Sequence, residues 1–392
     1  MSRRPALDGL RAFAVLAVMA FHTSPAAHGG FLGVDVFFVI SGYLITALLL
    51  REWSRSGGVD LKAFYVKRAL RLLPPLLFML AVSLPFVFTW ARDQLTLNPV
   101  IAIASVLLYV ANWANVWVNE GTGIWTHTWS LSIEEQFYLI WPLVLIGVLA
   151  RRKKAPAAGL VVLIALVVLA RWVGVANSDS FLWIYYATTS HCDGLLLGSL
   201  LAVLLNRRDS LARSGRQSEI VAWAGVFGLA ALFATSHIET SDTYEWRLPM
   251  AALFATMIVH HLATRKQGPM VDLLSLRPFV AVGMVSYGLY LYHFPVFMTV
   301  QSRHYPHLEQ HALEITLTLA LTVFSWFVVE KPALRLKDRL AGAPVAPVTV
   351  TVALPGPATV EAGPAGMAAS AQALAAPIIG YAPPGGVGGP RV

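Results

Sequence analysis

Arg11 and His22 stand in LDGLRAFAVLAVMAFHT, residues 7–23, a stretch otherwise apolar enough to enter a bilayer. An ionised group at the centre of a hydrocarbon layer costs about 3 kcal/mol on the insertion scale, so charge kept there needs a use. Steps of three and four residues from Asp8 pass through Arg11, Val15, Val18 and His22, which puts all five on one helical face. Helix rise separates Arg11 from His22 by roughly 16 Å along the axis. They cannot touch within this helix, but they can contact two parts of one long ligand. A histidine, with an ordinary pKa near 6.5, suits proton transfer to or from a reacting hydroxyl.

Other polar residues lie at comparable places. Asp35 sits near the outer end of GGFLGVDVFFVISGYLIT. Arg68 and Arg71, at i and i+3 in YVKRALRLLPP, make a good phosphate clamp because each guanidinium presents a planar fork of donors. In THTWSLSIEEQFYLIWP, Ser132 and Glu135 have capping-box spacing, which accounts for one carboxylate. Glu134 has no such reason and is expected at a depth similar to that of His22. Asp193 opens another span from outside, and Tyr287, Tyr290 and His293 share one crossing. His304, His307 and His311 are explained by a polar outer loop without an ion, and no metal site is expected. A lone Cys192 gives no CxxC pair, and no P-loop or HExxH occurs.

The elements that must hold these residues follow from composition. The chain has 392 residues, 57% hydrophobic and 13% charged, where an ordinary soluble domain is about 25% charged. Apolar stretches at 7–24, 31–50, 72–91, 98–114, 129–149, 158–176, 191–205, 218–235, 247–264, 279–300 and 310–329 are candidate spans. The net charge of +8 gathers in short loops, which marks topology rather than nucleic-acid binding. Arg3, Arg4, the basic run 51–71, the RRKK at 151–154, Arg207, Arg208, Arg213, Arg216, Arg265, Lys266 and the cluster Lys331 to Arg339 are all expected on the cytoplasmic side. The loop 115–128 has no Lys or Arg and reads as outside, with Trp113, Trp117, Trp125 and Trp129 as an aromatic belt. These assignments agree only if 98–114 is re-entrant or interfacial. The expected fold is therefore all-α and polytopic, with about ten transmembrane helices, one re-entrant helix and both termini cytoplasmic. A membrane domain, 1–340, precedes an Ala/Pro/Gly-rich tail, 341–392, expected to be disordered. The basic, apolar start imitates a secretory signal, but the polar stripe favours a retained span.

Six motifs in order carry a resemblance: Arg11 followed by ten residues and His22; GGFLGVDVFFVISGYLIT; Arg68-x-x-Arg71; WSLSIEEQFYLIWP; DGLLLG from Asp193; and SYGLYLYHFPVF. Over about residues 5–340 the chain resembles the acyltransferase-3 family of bacterial integral-membrane O-acyltransferases. The resemblance implies a multi-pass protein of the bacterial inner membrane. It further implies transfer of an acyl group, usually acetyl from acetyl-CoA, to hydroxyls of carbohydrates or of glycosylated natural products such as macrolides. It looks like the stand-alone form, without an SGNH domain. By the same resemblance His22 is catalytic, Arg11 its motif partner, Glu134 an essential carboxylate, and Arg68 and Arg71 the pair that meets CoA phosphates. Either Glu134 or Asp35 orients His22. The family often carries arginine where this chain has His191. The alternative class is a transporter or flippase, because intramembrane Asp, Glu, Arg and His also mark substrate pathways.

Overall fold

The structure, a computed structural model, describes residues 4–89, 96–150, 156–177, 181–207, 215–303 and 305–341. These residues fall in one compact unit. The expected RRKK loop, the basic residues Arg3, Arg208 and Arg213, His304 and the tail from residue 342 lie outside the described residues.

Helix α1, Pro5–Thr23, starts with proline in its first turn, where the missing N–H would have no partner in any case. Its stripe faces inward, with Val15 and Val18 buried, while Phe13 and Leu16 on the other side stay exposed as lipid-facing residues do. Helix α2, Gly33–Ser56, ends where Gly57 turns into the left-handed region. Two glycines before or at its start, Gly30 and Gly33, let its backbone close on Ala17 and Ala14 of α1, leaving no room for a Cβ. This contact fixes the outer end of α1 against α2.

Helix α3, Leu61–Thr89, is followed by α4, Pro99–Leu107, and α5, Ala111–Trp117. Asn98 caps α4 by accepting from the Val100 N–H at 2.9 Å. Nine and seven residues are too short to cross, so 98–114, expected to be re-entrant or interfacial rather than a span, is two short helices broken at Tyr109, a non-glycine residue at φ 54. Helices α6, Trp129–Ala150, and α7, Pro156–Asn177, follow, then the short α8, Phe181–Tyr186, and α9, Thr188–His191. Next come α10, Asp193–Arg207, α11, Gly215–Thr235, and α12, Leu248–Thr264. The chain continues through α13, Pro269–Leu274, α14, Arg277–Met284, α15, Ser286–Gln301, α16, His307–Ser325, and α17, Lys331–Ala341.

No strand occurs among the described residues, and seven helices are long and apolar enough to cross a membrane. The count becomes eight if α14 and α15, bent by 64° at their junction, form one broken span. The all-α polytopic fold is as expected. The bend places Tyr287, Tyr290 and His293 of α15 beside α1. Tyr287 donates to the Leu72 carbonyl at 3.0 Å, two residues before Pro74-Pro75 in α3, so α15 is tied to the proline-bearing turn that follows the arginine pair.

The aromatic belt is confined to the rim. Trp117 is 79% exposed, but Trp125 and Trp129 are buried. Trp125 donates to the Ser83 hydroxyl at 2.8 Å, and Trp129 stacks on His191. The loop folds inward with the Trp125 N–H bonded to Ser83 and the Trp129 ring against His191, which loop composition alone does not reveal.

Candidate active site

His22 stands on the last turn of α1 and lines a cavity of about 530 Å³, called the outer chamber after the orientation expected from loop charge, together with His127, Trp129, Tyr185, Tyr244 and Tyr290. Its Nδ1 lies 2.8 Å from the Val18 carbonyl. A carbonyl only accepts, so Nδ1 carries the proton and Nε2 keeps its lone pair. The imidazole is thus held in the tautomer that can receive a proton. Its own backbone carbonyl, one of the orphans of a helix C-terminus, accepts from Gln301 Nε2 at 3.3 Å. Gln301 also donates to the wholly buried Glu314 at 3.0 Å, which further accepts from Gln310 at 3.1 Å and His311 at 3.0 Å.

A smaller inner cavity is lined by Arg11, Phe37, Ser41, Ser130, Glu134 and Tyr287. It shares Val34 and Tyr290 with the outer cavity, so these two residues form the wall between the chambers. Tyr290 is fixed there, its hydroxyl 2.5 Å from Ser130 Oγ and donating to the His127 carbonyl at 2.8 Å. Arg11 and His22 therefore face successive chambers along one helix, as their spacing suggests.

Glu134 lies in the inner chamber and hydrogen-bonds Ser41; Arg68, Arg11 and Arg71 all act on it electrostatically. The expected depth beside His22 is corrected: α6 starts at Trp129 after an inward 3-10 turn, and Glu134 is five residues, roughly 7.5 Å, further down. The capping box is also absent. Ser132 donates back to the Thr128 carbonyl at 3.1 Å, and Glu135 pairs with Arg68 Nε at 3.2 Å. Arg68, stacked on the Tyr138 ring, is thereby engaged within the protein, whereas Arg71 one turn on is exposed. Three arginines and two carboxylates thus gather at the inner end, a setting suited to an anionic ligand with Arg71 the cation most open to it.

Asp35 is buried, and its Oδ1 lies 3.2 Å from His191 Nε2, while His191 Nδ1 faces the Tyr185 carbonyl at 2.7 Å. Both nitrogens of His191 face acceptors, so the ring bridges Asp35 and the Tyr185 carbonyl. Beside them Asp193 pairs with Arg171 at 2.6 Å, both fully buried. Sequence left Asp35 and Glu134 as alternatives for orienting His22; the structure joins each to another partner and bonds the His22 ring to Val18.

His127, missed by sequence, enters the outer chamber from the 3-10 turn Gly123–Thr128, with its ring 5.7 Å from that of His293. The signal available was its place just ahead of WSLSIEEQFY. Above the chamber, Tyr244 donates to the Ile238 carbonyl at 2.7 Å and Arg247 pairs with Asp242 at 2.6 Å, fastening the loop that supplies Glu239. The Thr240 hydroxyl and Arg247 bond the charged form of Asp242 and hold its carboxyl below the usual range. Among the described residues no group of three His, Cys, Asp or Glu could hold a metal ion. His311 instead bonds Glu314.

Residues 4–330 match the model of a family described as an acyltransferase domain. O-acetyltransferase OatA of Staphylococcus aureus (strain NCTC 8325 / PS 47) is 32% identical over 346 residues, covering 84% of this chain and 57% of that protein. Putative peptidoglycan O-acetyltransferase YrhL of Bacillus subtilis (strain 168) is 33% identical over 348 residues, with 84% and 54% covered. Peptidoglycan O-acetyltransferase OatA of Listeria monocytogenes serovar 1/2a (strain ATCC BAA-679 / EGD-e) is 32% identical over 350 residues, with 84% and 55% covered. The chain spans a little over half the length of these relatives. No solved structure matches.

Proposed function

The chain belongs to the acyltransferase-domain family, and on that premise we propose that it is an O-acyltransferase of the bacterial cytoplasmic membrane. It moves an acyl group, acetyl from acetyl-CoA, to a hydroxyl of a glycan or of a glycosylated natural product such as a macrolide. The observation that carries this reading is the pair of chambers walled by Val34 and Tyr290, with Arg11 and Glu134 in one and His22 in the other. The names of the relatives, peptidoglycan O-acetyltransferases, support the choice of acetyl and of a glycan.

On this proposal the phosphates of acyl-CoA meet Arg71 and Arg68 from the cytoplasmic side. A guanidinium matches phosphate through paired N–H donors. The slender thioester arm runs past Arg11 in the inner chamber and brings its carbonyl to Tyr290. The acceptor hydroxyl enters the outer chamber and attacks that carbonyl while His22 Nε2 takes its proton, the Nδ1–H bond to Val18 keeping the ring aimed. Collapse of the tetrahedral adduct breaks the C–S bond, and the departing thiolate recovers the proton from His22. Direct transfer of this kind needs no acyl-enzyme. Glu134 balances the arginines, which keeps Arg11 from holding the anionic end of the donor too deep.

The test is purified full chain in lipid nanodiscs with acetyl-labelled acetyl-CoA and a panel of glycans and macrolides. Labelled acceptor that depends on His22 supports the reading. Absence of product across the panel, with no hydrolysis of acetyl-CoA and with glycan transport in vesicles, would favour the transporter class instead.

A further inference from the structure

The outer chamber has a chemical bias that acyl transfer by itself does not require. Its formally charged lining residues are Glu120 and Glu239, with no lysine or arginine, although the whole chain carries +8. Glu120 is held at φ 49, in the left-handed region that side chains other than glycine rarely adopt, and its carboxylate accepts from Tyr186 at 3.2 Å.

Two imidazoles of the wall present lone pairs to the chamber. His127 donates Nε2–H to the Leu291 carbonyl at 3.1 Å, so its Nδ1 carries a lone pair. That nitrogen has no partner although His127 is only 4% exposed, and the hydroxyl of Thr126, 6% exposed, has none either. His22 Nε2 is a further lone pair. The hydroxyls of Tyr186, Tyr244 and Tyr290 donate to Glu120 or to backbone carbonyls, so their protons are already engaged within the protein. Between these acceptors stand the rings of Trp129, Tyr185 and Tyr244, whose faces attract cations and pack against sugar rings.

Imidazole lone pairs, aromatic faces and two carboxylates complement a ligand that offers N–H and O–H donors and carries positive charge. We propose that the outer chamber selects an amine-bearing, cationic glycan acceptor and rejects acidic ones. This rests on reading the chamber as the acceptor site. Glu120 and Glu239 would act as the charge filter and His127 Nδ1 as a hydrogen-bond acceptor for the sugar.

The experiment is calorimetric titration of the full chain in nanodiscs of uncharged lipid, at about pH 6.5, where a sugar amine is mostly protonated. The probes are the glucosamine trisaccharide, its N-acetylated counterpart and trigalacturonate. The amine is expected to bind about tenfold more tightly than the N-acetylated trimer, with the uronate weakest. In Glu120→Gln/Glu239→Gln the first two should come within about twofold of each other, as they should for the unaltered chain in about 0.5 M salt. Equal binding of amine and N-acetyl probes, a preference that survives the double substitution, or no binding by any probe overturns the proposal. Acetyl transfer from acetyl-CoA is followed with the same three probes. Amine-selective binding without transfer would remove the acyl-transfer reading and leave the cation site; transfer preferring the N-acetylated or acidic trimer would do the reverse.

Discussion

Gln301→Leu removes the side chain that joins the carbonyl of His22 to Glu314. The loss can be worked from the geometry. The bond to His22 is long, 3.3 Å, and part-buried, so it contributes at the lower end for a neutral hydrogen bond, about 0.5–1 kcal/mol. Glu314 keeps Gln310 and His311 as donors, so the buried carboxylate is not orphaned and the fold should persist. The last turn of α1 is then free to fray, and His22 is displaced from the position in which Nε2 faces the chamber. A transition-state penalty of about 1 kcal/mol corresponds to roughly fivefold in kcat. Because Gln301 lines neither chamber, KM for acetyl-CoA and for the acceptor should not change. Steady-state kinetics of the nanodisc-embedded protein, with thermal unfolding as a check on folding, measures this. A kcat equal to that of the unaltered chain, or a change in KM alone, would refute the positioning argument.

Arg71→Ala should raise KM for acetyl-CoA by about tenfold with kcat little altered, since on the proposed donor site one phosphate contact of about 1.5 kcal/mol would be lost; an unchanged KM counts against the clamp. Arg68→Ala should also lower thermal stability, because it leaves Glu135 without its cation. Arg171→Met strands Asp193 as a buried charge and should destabilise the protein by about 3–5 kcal/mol, whereas Arg171→Met/Asp193→Leu should recover most of that loss. Thermal unfolding of the three proteins decides it, and a double variant no more stable than the single one would show that the pair is not acting as a unit.

The long apolar runs, the polar face of α1 and the demotion of 98–114 were legible because each depends on local pattern: helical period, span length and loop charge. Arg11 and His22 fall on successive chambers because the helix rise alone sets their separation. Glu134 was misplaced in depth because the start of α6 is set by an inward-packed turn, whose burial comes from Trp125 meeting Ser83 of α3. The partner of Asp35 was hidden for a similar reason. His191 lies 156 positions away and meets it only after α2 packs against α10 through Gly42 and Gly198. Arg171 sits mid-span in an apolar run, and the signal that it is paired, Asp193 of the neighbouring helix, is a tertiary fact. Gln301 and Glu314 resemble ordinary loop-edge polar residues until α15 and α16 bring them together. Period fixes which face a residue occupies; depth and partners come from packing.

On the proposed mechanism His22 Nε2 is the base that accepts the hydroxyl proton. The most direct measurement is acetyl transfer from labelled acetyl-CoA to glycan by His22→Ala in nanodiscs, with acetyl-CoA binding and thermal unfolding followed on the same sample. Folding and donor binding should be unaltered, with transfer reduced by about a hundredfold to ten-thousandfold, the range for loss of a general base. Transfer within tenfold of the unaltered chain would contradict it.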